Sequence, residues 1–311
     1  MNQKVMWDDK PYYSLNSYLK EEYGQKLYKL SLDGGMTCPN RDGKIGHGGC
    51  IFCSSGGSGD FAASRTLSIT DQIEQAKDKV KHKVKSGTQY IAYFQAFTNT
   101  YAPVEYLEKI FLEAIMHPDV AILSIATRPD CLGNDILALL ERLNKIKPVW
   151  VELGLQTIHE QSASFIRRGY PLSVFKEAVS ALNKCQIDII VHLIVGLPFE
   201  SEEDLLESVR YVCNLPIQGI KLQLLHILKN TDLSKYIDKF HILEMDEYID
   251  WIIDCVEHIP KHIVIHRITG DGPKNLLIAP TWSSNKKLVL NTMHKTMKER
   301  NTWQGKLVKE V

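Results

Sequence analysis

Three cysteines stand close together in one glycine-rich segment. Cys38, Cys50 and Cys53 lie in DGGMTCPNRDGKIGHGGCIFCSSGGSGDF, with the spacing C-x11-C-x2-C. Thiolates clustered in this way are typical ligands of zinc or of an iron–sulfur cluster. The segment has few apolar residues with which to fold itself, and three thiolates around a metal would order it. The spacing therefore predicts a metal centre.

The spacing alone leaves three interpretations of these cysteines. Three thiolates on a [4Fe–4S] cluster leave the fourth iron open, which makes that iron a site for chemistry, and we favour this interpretation. His47 would instead complete a Cys3His zinc site. The third possibility is three thiols without a metal. The other cysteines occur singly, and we predict that they are small buried side chains: Cys131, Cys185, Cys213 and Cys255.

The elements around this segment alternate between apolar runs and amphipathic runs. Strands apolar on both faces, separated by helices, predict an α/β fold with a parallel sheet covered by outer helices. Six such units and one further strand indicate a partial (β/α)6-type TIM-like barrel, with an open doubly wound sheet as the alternative. The predicted strands are 27–32, 90–95, 120–126, 149–155, 187–195, 219–226 and 262–266, and the clearest predicted helices are 70–85, 104–117, 246–258 and one capped by Ser201.

Composition sets the class of protein. The chain has 311 residues, with 37 Lys and Arg against 37 Asp and Glu, so a polycation and a disordered chain are excluded. No apolar run is long enough to cross a bilayer and the first residues lack a signal-peptide core, so we expect a cytoplasmic protein that does not contact membranes. We predict an N-terminal extension over 1–25, a barrel over 26–267, and a basic C-terminal extension over 268–311 packed on the barrel.

Several phrases of the sequence carry a resemblance to a known family. The chain resembles the radical S-adenosylmethionine (SAM) enzymes, in the branch of the elongator catalytic subunit and the oxygen-independent coproporphyrinogen oxidases, and most closely its YtqA/YhcC-type members. The resemblance extends from Lys29 to Lys306. The matching phrases are KLSLDGGMTCPNRDG, GGCIFCSSGGSGDFA, YFQAFTNTYAP, TRPDCL, VELGLQT, HLIVGLPFE, HRITGDGP, APTWSSNKK and QGK.

The resemblance implies the cofactors and a set of residues around them. Cys38, Cys50 and Cys53 would hold one [4Fe–4S] cluster, and SAM on its open iron would be split to a 5′-deoxyadenosyl radical after an electron arrives from a donor such as flavodoxin or ferredoxin. The residues implied for SAM follow the predicted strands two, four and five, and they are Gln95, Thr98, Asn99, Glu152, Gln156, Arg168, Gly196 and Pro198.

The substrate is predicted from charge and from the same resemblance. Residues 76–87 hold five lysines against one aspartate, and 284–311 hold seven cations against two glutamates, with Trp282 and Trp303 nearby to stack an unpaired base. The resemblance implies tRNA, whose wobble 5-carboxymethylaminomethyluridine would become 5-aminomethyluridine for a separate methyltransferase. A small-molecule radical SAM enzyme and a zinc-stabilised tRNA-binding module are the alternatives. The residues predicted to meet the substrate are His192, Lys221, His226 and Arg267.

Overall fold

The structure is a computed structural model that describes residues 4–57, 59–60, 62–270 and 272–308. Its main sheet has seven parallel strands in the order β1-β2-β3-β4-β5-β6-β8, with β1 and β8 at the two edges. A separate antiparallel pair joins β7 and β9. The strands are β1 (Tyr28–Leu32), β2 (Tyr90–Phe94), β3 (Val120–Thr127), β4 (Val149–Gln156), β5 (Asp188–Val195), β6 (Gly219–Leu224), β7 (Ile227–Leu228), β8 (Val264–Arg267) and β9 (Leu277–Ala279).

Helices follow the strands in alternation and cover the outer face of this curled half-barrel. The apolar stripes of α2, α3, α4, α6, α7 and α8 join the main core with the strands, as the sequence periodicity predicts. Ser201 begins a helix through a capping box with Asp204, which confirms the predicted cap. The helices are α1 (Leu15–Tyr23), α2 (Ile69–Val80), α3 (Val104–Ile115), α4 (Asn134–Asn144), α5 (Glu160–Phe165), α6 (Leu172–Lys184), α7 (Glu202–Cys213), α8 (Met245–His258) and α9 (Lys286–Glu299). The predicted fold class, a partial α/β barrel, is confirmed.

Helix α1 closes the end of the half-barrel at which the parallel strands begin. Its Leu19 is buried in a small apolar cluster with Ile91, Ile122 and Trp150, which are contributed by β2, β3 and β4. The ring of Tyr18, also on α1, lies 6.1 Å from that of Trp150. Because this end is filled by apolar side chains, an interior site has to be reached from the carboxyl ends of the strands or from the gap between β1 and β8.

The two terminal segments are joined to each other next to β8. The side chain of Gln304 accepts from the amide of Tyr13 at 2.7 Å and donates to the carbonyls of Pro260 and Ile263, both at 2.8 Å. The carbonyl of Tyr13 in turn accepts from the amide of Ile265 on β8. This fully buried glutamine therefore ties both termini to one edge of the sheet. The segment boundaries at residues 25 and 267 stay predictions.

Among the described residues, every helix is either too short or too polar to cross a lipid bilayer.

Candidate active site

The three clustered cysteines lie above the carboxyl ends of the strands, in the connection between β1 and α2. Cys38, Cys50 and Cys53 line one cavity together with side chains from the interior of the half-barrel. Ile51 joins this connection to its surroundings by two backbone bonds: its amide donates to the carbonyl of Ile166 at 3.2 Å, and its carbonyl accepts from Leu233 at 2.9 Å. The predicted metal ligands are therefore brought together where parallel α/β folds place their chemistry.

Glycine allows the cysteine segment to come this close to its neighbours. Gly57 has φ of +56°, and a Cβ there would lie 2.3 Å from the ring of Phe97. Gly49 has φ of +90°, and a Cβ there would lie 2.9 Å from Nε of Arg41. A larger residue at either position would meet both a strained backbone and a steric overlap. Arg41 also donates to the carbonyl oxygens of Cys53 and Ser54, so the packing of this segment is local and largely polar.

The three sulfur atoms are not gathered as closely as the ligands of one zinc ion would be. In the described part of the chain, the three thiols do not form a group whose ligand atoms all lie within 4.8 Å. Zn–S bonds of about 2.3 Å in a tetrahedron would require sulfur atoms roughly 3.8 Å apart, whereas each cysteine of a cubane binds a different iron. His47, the predicted fourth zinc ligand, is not among the residues that line the cavity.

The chemistry of these thiols also calls for a cationic metal group. Burial, together with the neighbouring Cys53 and Cys38, raises the pKa of Cys50 to about 12, although Arg128 acts in the opposite direction. Burial likewise raises the pKa of Cys53. Three thiolates gathered in one cavity need iron or another cation to compensate their mutual repulsion and their loss of hydration. The donor set therefore fits a [4Fe–4S] cluster held by three cysteines.

A layer of polar side chains forms the floor of the same cavity. Every strand of the main sheet contributes one polar interior residue to this layer; five of the seven line the cavity, and Lys29 and Ser124 join the layer through Glu152. Only three of the four residues predicted to meet the substrate belong to this floor. The set consists of Lys29, Tyr93, Ser124, Glu152, His192, Lys221 and Arg267.

Glu152 is the centre of this floor. Its fully buried carboxylate accepts from Lys29 at 2.6 Å, from Ser124 at 2.9 Å and from His192 at 2.9 Å, and it also contacts Lys221. Burial by itself would raise the pKa of Glu152, but Lys221, Lys29 and His192 hold it well below its usual range. One negative charge is thus shared by two lysines on opposite sides of the layer.

His192 is a neutral member of the layer. Burial and the charge of Lys221 lower its pKa to about 4, although Glu152 acts in the opposite direction. Its Nε2 faces Glu152, and its Nδ1 lies 3.3 Å from the amide nitrogen of Gln223. The neutral tautomer with a proton on Nε2 donates to the carboxylate and accepts from the glutamine, so both ring nitrogens have a partner.

The structure brings some of the predicted SAM-binding residues to the cavity and leaves others outside it. Asn99 is fully buried below the loop, where its side-chain amide donates to the carbonyls of Phe94 and Ala126. Gly196 and Pro198 belong to a turn beside Leu243 and Ser162. Those that line the cavity are Gln95, Thr98, Glu152, Gln156 and Arg168.

Arg168 is buried, with 2% of its surface exposed. Its neighbour in the sequence is Arg167, and two adjacent arginines are more typical of a protein surface. Its Nε donates to the carbonyl of Tyr170 at 3.0 Å, one terminal nitrogen donates to the carbonyl of Thr157 at 2.6 Å, and the other pairs with Glu160 at 3.3 Å. Much of its hydrogen-bonding capacity is therefore used within the protein, around the turn that follows β4.

Sequence reasoning missed three members of the floor: Lys29, Tyr93 and Ser124. Each occupies the interior parity of its strand, and Tyr93 pairs in register with Ser124. The signal available in the sequence was a polar residue within a mostly apolar strand, as at Lys29 in YKLSL and at Ser124 in VAILSIAT. In a strand buried on both faces, such a residue needs a polar partner in the interior.

His226 belongs to an adjoining cavity. Its Nε2 lies 3.1 Å from the hydroxyl of Ser283, and the space around it is shaped by Gly270 and Gly272. This second cavity shares residues with the cysteine cavity, so the two open into one another. The shared residues are Phe52, Cys53, Gln95, Gln156, His192, Gln223 and Arg267.

The sequence matches two family profiles. That of the Radical SAM superfamily matches residues 41–212, and that of the Radical_SAM C-terminal domain matches residues 217–299. The chain is 46% identical to protein YtqA of Bacillus subtilis over 300 residues, which cover 96% of this chain and 93% of that protein. It is 35% identical to protein YhcC of Escherichia coli over 271 residues, which cover 86% of each chain.

More distant relatives share the fold. The archaeal Methanocaldococcus infernus Elp3 structure aligns with a TM-score of 0.68 at 15% identity, covering 89% of this chain and 64% of that one. A tRNA uridine(34) acetyltransferase of Methanocaldococcus jannaschii is 26% identical over 293 residues, which cover 80% of this chain and 53% of that protein. The structural likeness agrees with the half-barrel described above.

Proposed function

Because this chain belongs to the radical SAM superfamily, and is therefore an enzyme that uses a [4Fe–4S] cluster and SAM, we propose that it acts on the wobble uridine of tRNA. The proposed step converts 5-carboxymethylaminomethyluridine to 5-aminomethyluridine. When bound, the cluster and SAM supply a radical that removes hydrogen from an unactivated C–H bond. The proposed net reaction takes up one water and one SAM, and it releases 5-aminomethyluridine, a two-carbon oxo acid, methionine, 5′-deoxyadenosine and one proton.

The observation that carries this proposal is the charge of the cavity floor. Lys29 and Lys221 both pair with the carboxylate of Glu152, Arg267 and Lys221 line the cavity, and His192 is neutral. A substrate that brings its own carboxylate would meet these two cationic side chains in the layer beneath the cluster. The carboxymethyl group provides that charge, and the C–H bond to be broken is on the carbon next to it.

Arg267 is best suited to hold the substrate carboxylate. It lies at the end of edge strand β8, lines both connected cavities, and carries a planar guanidinium that can form two parallel hydrogen bonds with a carboxylate. Lys221 would add charge from the neighbouring strand. His192 keeps the carboxylate of Glu152 in place by donating from Nε2, and His226 would contact the nucleoside from the adjoining cavity.

The cofactors would occupy the upper part of the cavity. Cys38, Cys50 and Cys53 would hold the cluster, and Gln95, Thr98, Gln156 and Arg168 would surround SAM. Asn99 and the turn from Gly196 to Pro198 would support this wall from behind through their backbone contacts. Flavodoxin or ferredoxin would supply the electron, and a methyltransferase would act on the released amine.

The relatives support the nature of the substrate. The tRNA uridine(34) acetyltransferase that resembles most of this chain is named for the same uridine, and the chain spans about half of that protein. Similarity at this level is compatible with a shared nucleotide target and a different reaction. A radical SAM enzyme acting on a small molecule is the alternative that the experiment has to distinguish.

The experiment is an anaerobic incubation of the reconstituted protein with SAM, a reductant and tRNA that carries 5-carboxymethylaminomethyluridine. Nucleosides, 5′-deoxyadenosine and the two-carbon oxo acid are measured by mass spectrometry. We expect 5-aminomethyluridine and 5′-deoxyadenosine to form in equal amounts. The Arg267→Lys variant should cleave SAM but form much less product, and Cys50→Ala should do neither.

Two results would contradict the proposal in different ways. If 5′-deoxyadenosine forms while the uridine is unchanged, the tRNA substrate is wrong and the small-molecule alternative is favoured. If the nucleoside profile of tRNA is also unchanged in cells that lack the gene, no role at this uridine remains. Failure to form 5′-deoxyadenosine with a fully loaded cluster would instead contradict our assignment of the cofactor-binding cavity.

A further inference from the structure

The half-barrel is open along one side. The sheet order ends with β1 on one side and β8 on the other, and these edge strands do not pair with each other. Two consecutive cavities occupy the gap between them, an upper one near Gly270, Gly272 and residues 283–287 and a lower one beside α1. Arg267 and Lys286 line both. We call this continuous gap the seam.

Basic side chains predominate among the described residues of the seam, although the whole chain has a net charge of zero. Among the described residues that line its two cavities there are seven cations and no aspartate or glutamate. Glu152 reaches one of these cations, Lys29, from the interior side. The seven are Lys10, Lys26, Lys29, Arg267, Lys274, Lys286 and Lys287.

The cations farthest from the interior face solvent. Lys274, Lys286 and Lys287 are exposed at the upper cavity, and Lys26 is exposed at the lower one. Ser283, Ser284 and Asn285 lie beside them and add uncharged hydrogen-bonding groups. Exposed lysines grouped with hydroxyl and amide side chains are the composition that contacts a phosphate backbone.

The seam also leads to the reaction cavity. Tyr93, Gln95 and Arg267 line both the upper seam cavity and the cavity of the three cysteines. A flat group that enters between β1 and β8 therefore reaches the polar floor without passing the cysteine segment. The phenol of Tyr93, which lies 3.3 Å from Nζ of Lys221, stands at this junction.

The other basic cluster of the sequence lacks these properties. Within 76–87, Lys77 is paired with both Glu74 and Asp119, and Lys81 is paired with Asp78. Tyr28, at the start of β1, donates to the carbonyl of Lys83, so this cluster lies near the amino ends of the strands. None of its residues lines either cavity of the seam, and it lies away from Lys274, Lys286 and Lys287, so it serves as a control surface.

We propose that the seam binds a single-stranded segment of RNA, with Lys274, Lys286 and Lys287 on its phosphates, and that the target nucleotide enters the interior sideways between β1 and β8. This inference rests on the proposed function and specifies where the RNA is held. An acidic protein would also be attracted to these lysines. RNA is favoured because the basic residues continue inward to the reaction cavity, which a flipped-out base can enter and a protein surface cannot.

The test is the binding of a labelled anticodon stem-loop RNA, followed by fluorescence anisotropy at several salt concentrations. The Lys286→Glu/Lys287→Glu variant is compared with Lys79→Glu/Lys81→Glu, which has the same change in net charge on the control surface. We expect the seam variant to bind at least about tenfold more weakly, and the slope of log K against log salt to fall by roughly 1.4, because about 0.7 is lost per single-strand phosphate contact. The control variant should keep the wild-type slope.

Thermal melting and SAM cleavage without RNA show whether each variant is folded and loaded. If the glutamate variant unfolds, Lys286→Gln/Lys287→Gln is used and should show the same loss of slope. If the seam variant binds the RNA as tightly as the wild-type protein, or if the control variant loses as much affinity, the proposed RNA-binding role of the seam is wrong. A seam variant that binds RNA normally but is reduced more slowly by flavodoxin would assign the surface to an acidic protein. If wild-type protein converts the uridine in either case, the proposed function stands without this inference.

Discussion

The floor of the reaction cavity and its roof, the segment that carries Cys38, Cys50 and Cys53, differ in how their polar groups are satisfied. On the floor, the carboxylate of Glu152 has four protein donors, and each neighbouring side chain is fixed by a strand. In the roof, Cys50 and Cys53 are half-buried thiols in a connection without regular secondary structure. The floor is complete as a protein structure, whereas the roof gathers ligands that only a metal group satisfies.

This difference separates stability from activity. Removing a charge from the floor leaves its partners buried and unpaired, which costs folding free energy. Removing a thiol from the roof takes away a ligand but leaves behind little strain, because a free cysteine acts as a small apolar side chain. We therefore expect floor variants to be detected by unfolding and roof variants by cluster content.

The largest effect is expected when the roof is broken. Replacing Cys38, Cys50 or Cys53 by Ala should reduce SAM cleavage to background and prevent retention of a full cluster, because one iron loses its protein ligand. The free energy of unfolding of the metal-free protein should change by less than about 1 kcal/mol. Iron and sulfide analysis, 5′-deoxyadenosine formation and urea unfolding of the reduced apoprotein measure the three quantities.

Cys185→Ala is the matched control for this prediction. Cys185 follows α6, away from the cavity lining. It is a free thiol that is half-buried, so the prediction of a buried side chain is wrong for this cysteine, as it is for Cys131 and Cys213; Cys255 is buried as predicted. The Cys185→Ala variant should keep both the cluster and SAM cleavage. A cysteine-segment variant that retains four irons and normal cleavage would show that the roof does not hold the cluster.

A smaller but still large effect is expected when the floor is broken. Glu152→Ala leaves Lys29 and Lys221 facing each other inside the barrel, and breaking a buried ion pair in this way costs about 3–5 kcal/mol. Urea unfolding at neutral pH measures the loss. Glu203→Ala, which removes an exposed partner of Arg210, should cost less than about 1 kcal/mol. Equal losses in the two variants would mean that the floor does not stabilise the fold.

The fold could be predicted from the sequence because its signals are local and repeated. The seven predicted strands overlap those of the main sheet, and Ser201 caps its helix as predicted. Apolar runs buried on both faces and helices with one apolar stripe leave few alternatives to a parallel sheet. The connection of Gln304 to Tyr13 was beyond reach, because it joins residues at opposite ends of the chain and one glutamine has no distinctive local pattern.

The site could be predicted only in part, for a physical reason. Cysteine spacing is a strong local signal, and it located all three thiols of the cavity. The floor depends on contacts between strands far apart in sequence, so Glu152 was considered for SAM, while its contacts with Lys29 and Ser124 were not foreseen. Charge counts could not rank the lysines either, because only the fold shows that Lys77 is neutralised and that Lys287 lines the seam.

The subtlest test of the floor is its dependence on pH through His192. The unfolded chain binds a proton at this histidine near its ordinary pKa of 6.5, whereas the folded chain does so only at about 4. Between these values the unfolded state holds more protons, so stability falls as the pH is lowered. From pH 7.5 to 5.0 the wild-type protein should lose roughly 2 kcal/mol more than His192→Gln, by the linkage relation. Because the pKa of Glu152 is held well below its usual range, this carboxylate stays charged throughout the window. Urea unfolding of both apoproteins at the two pH values measures the difference, and identical pH profiles would mean that His192 is protonated in the folded floor.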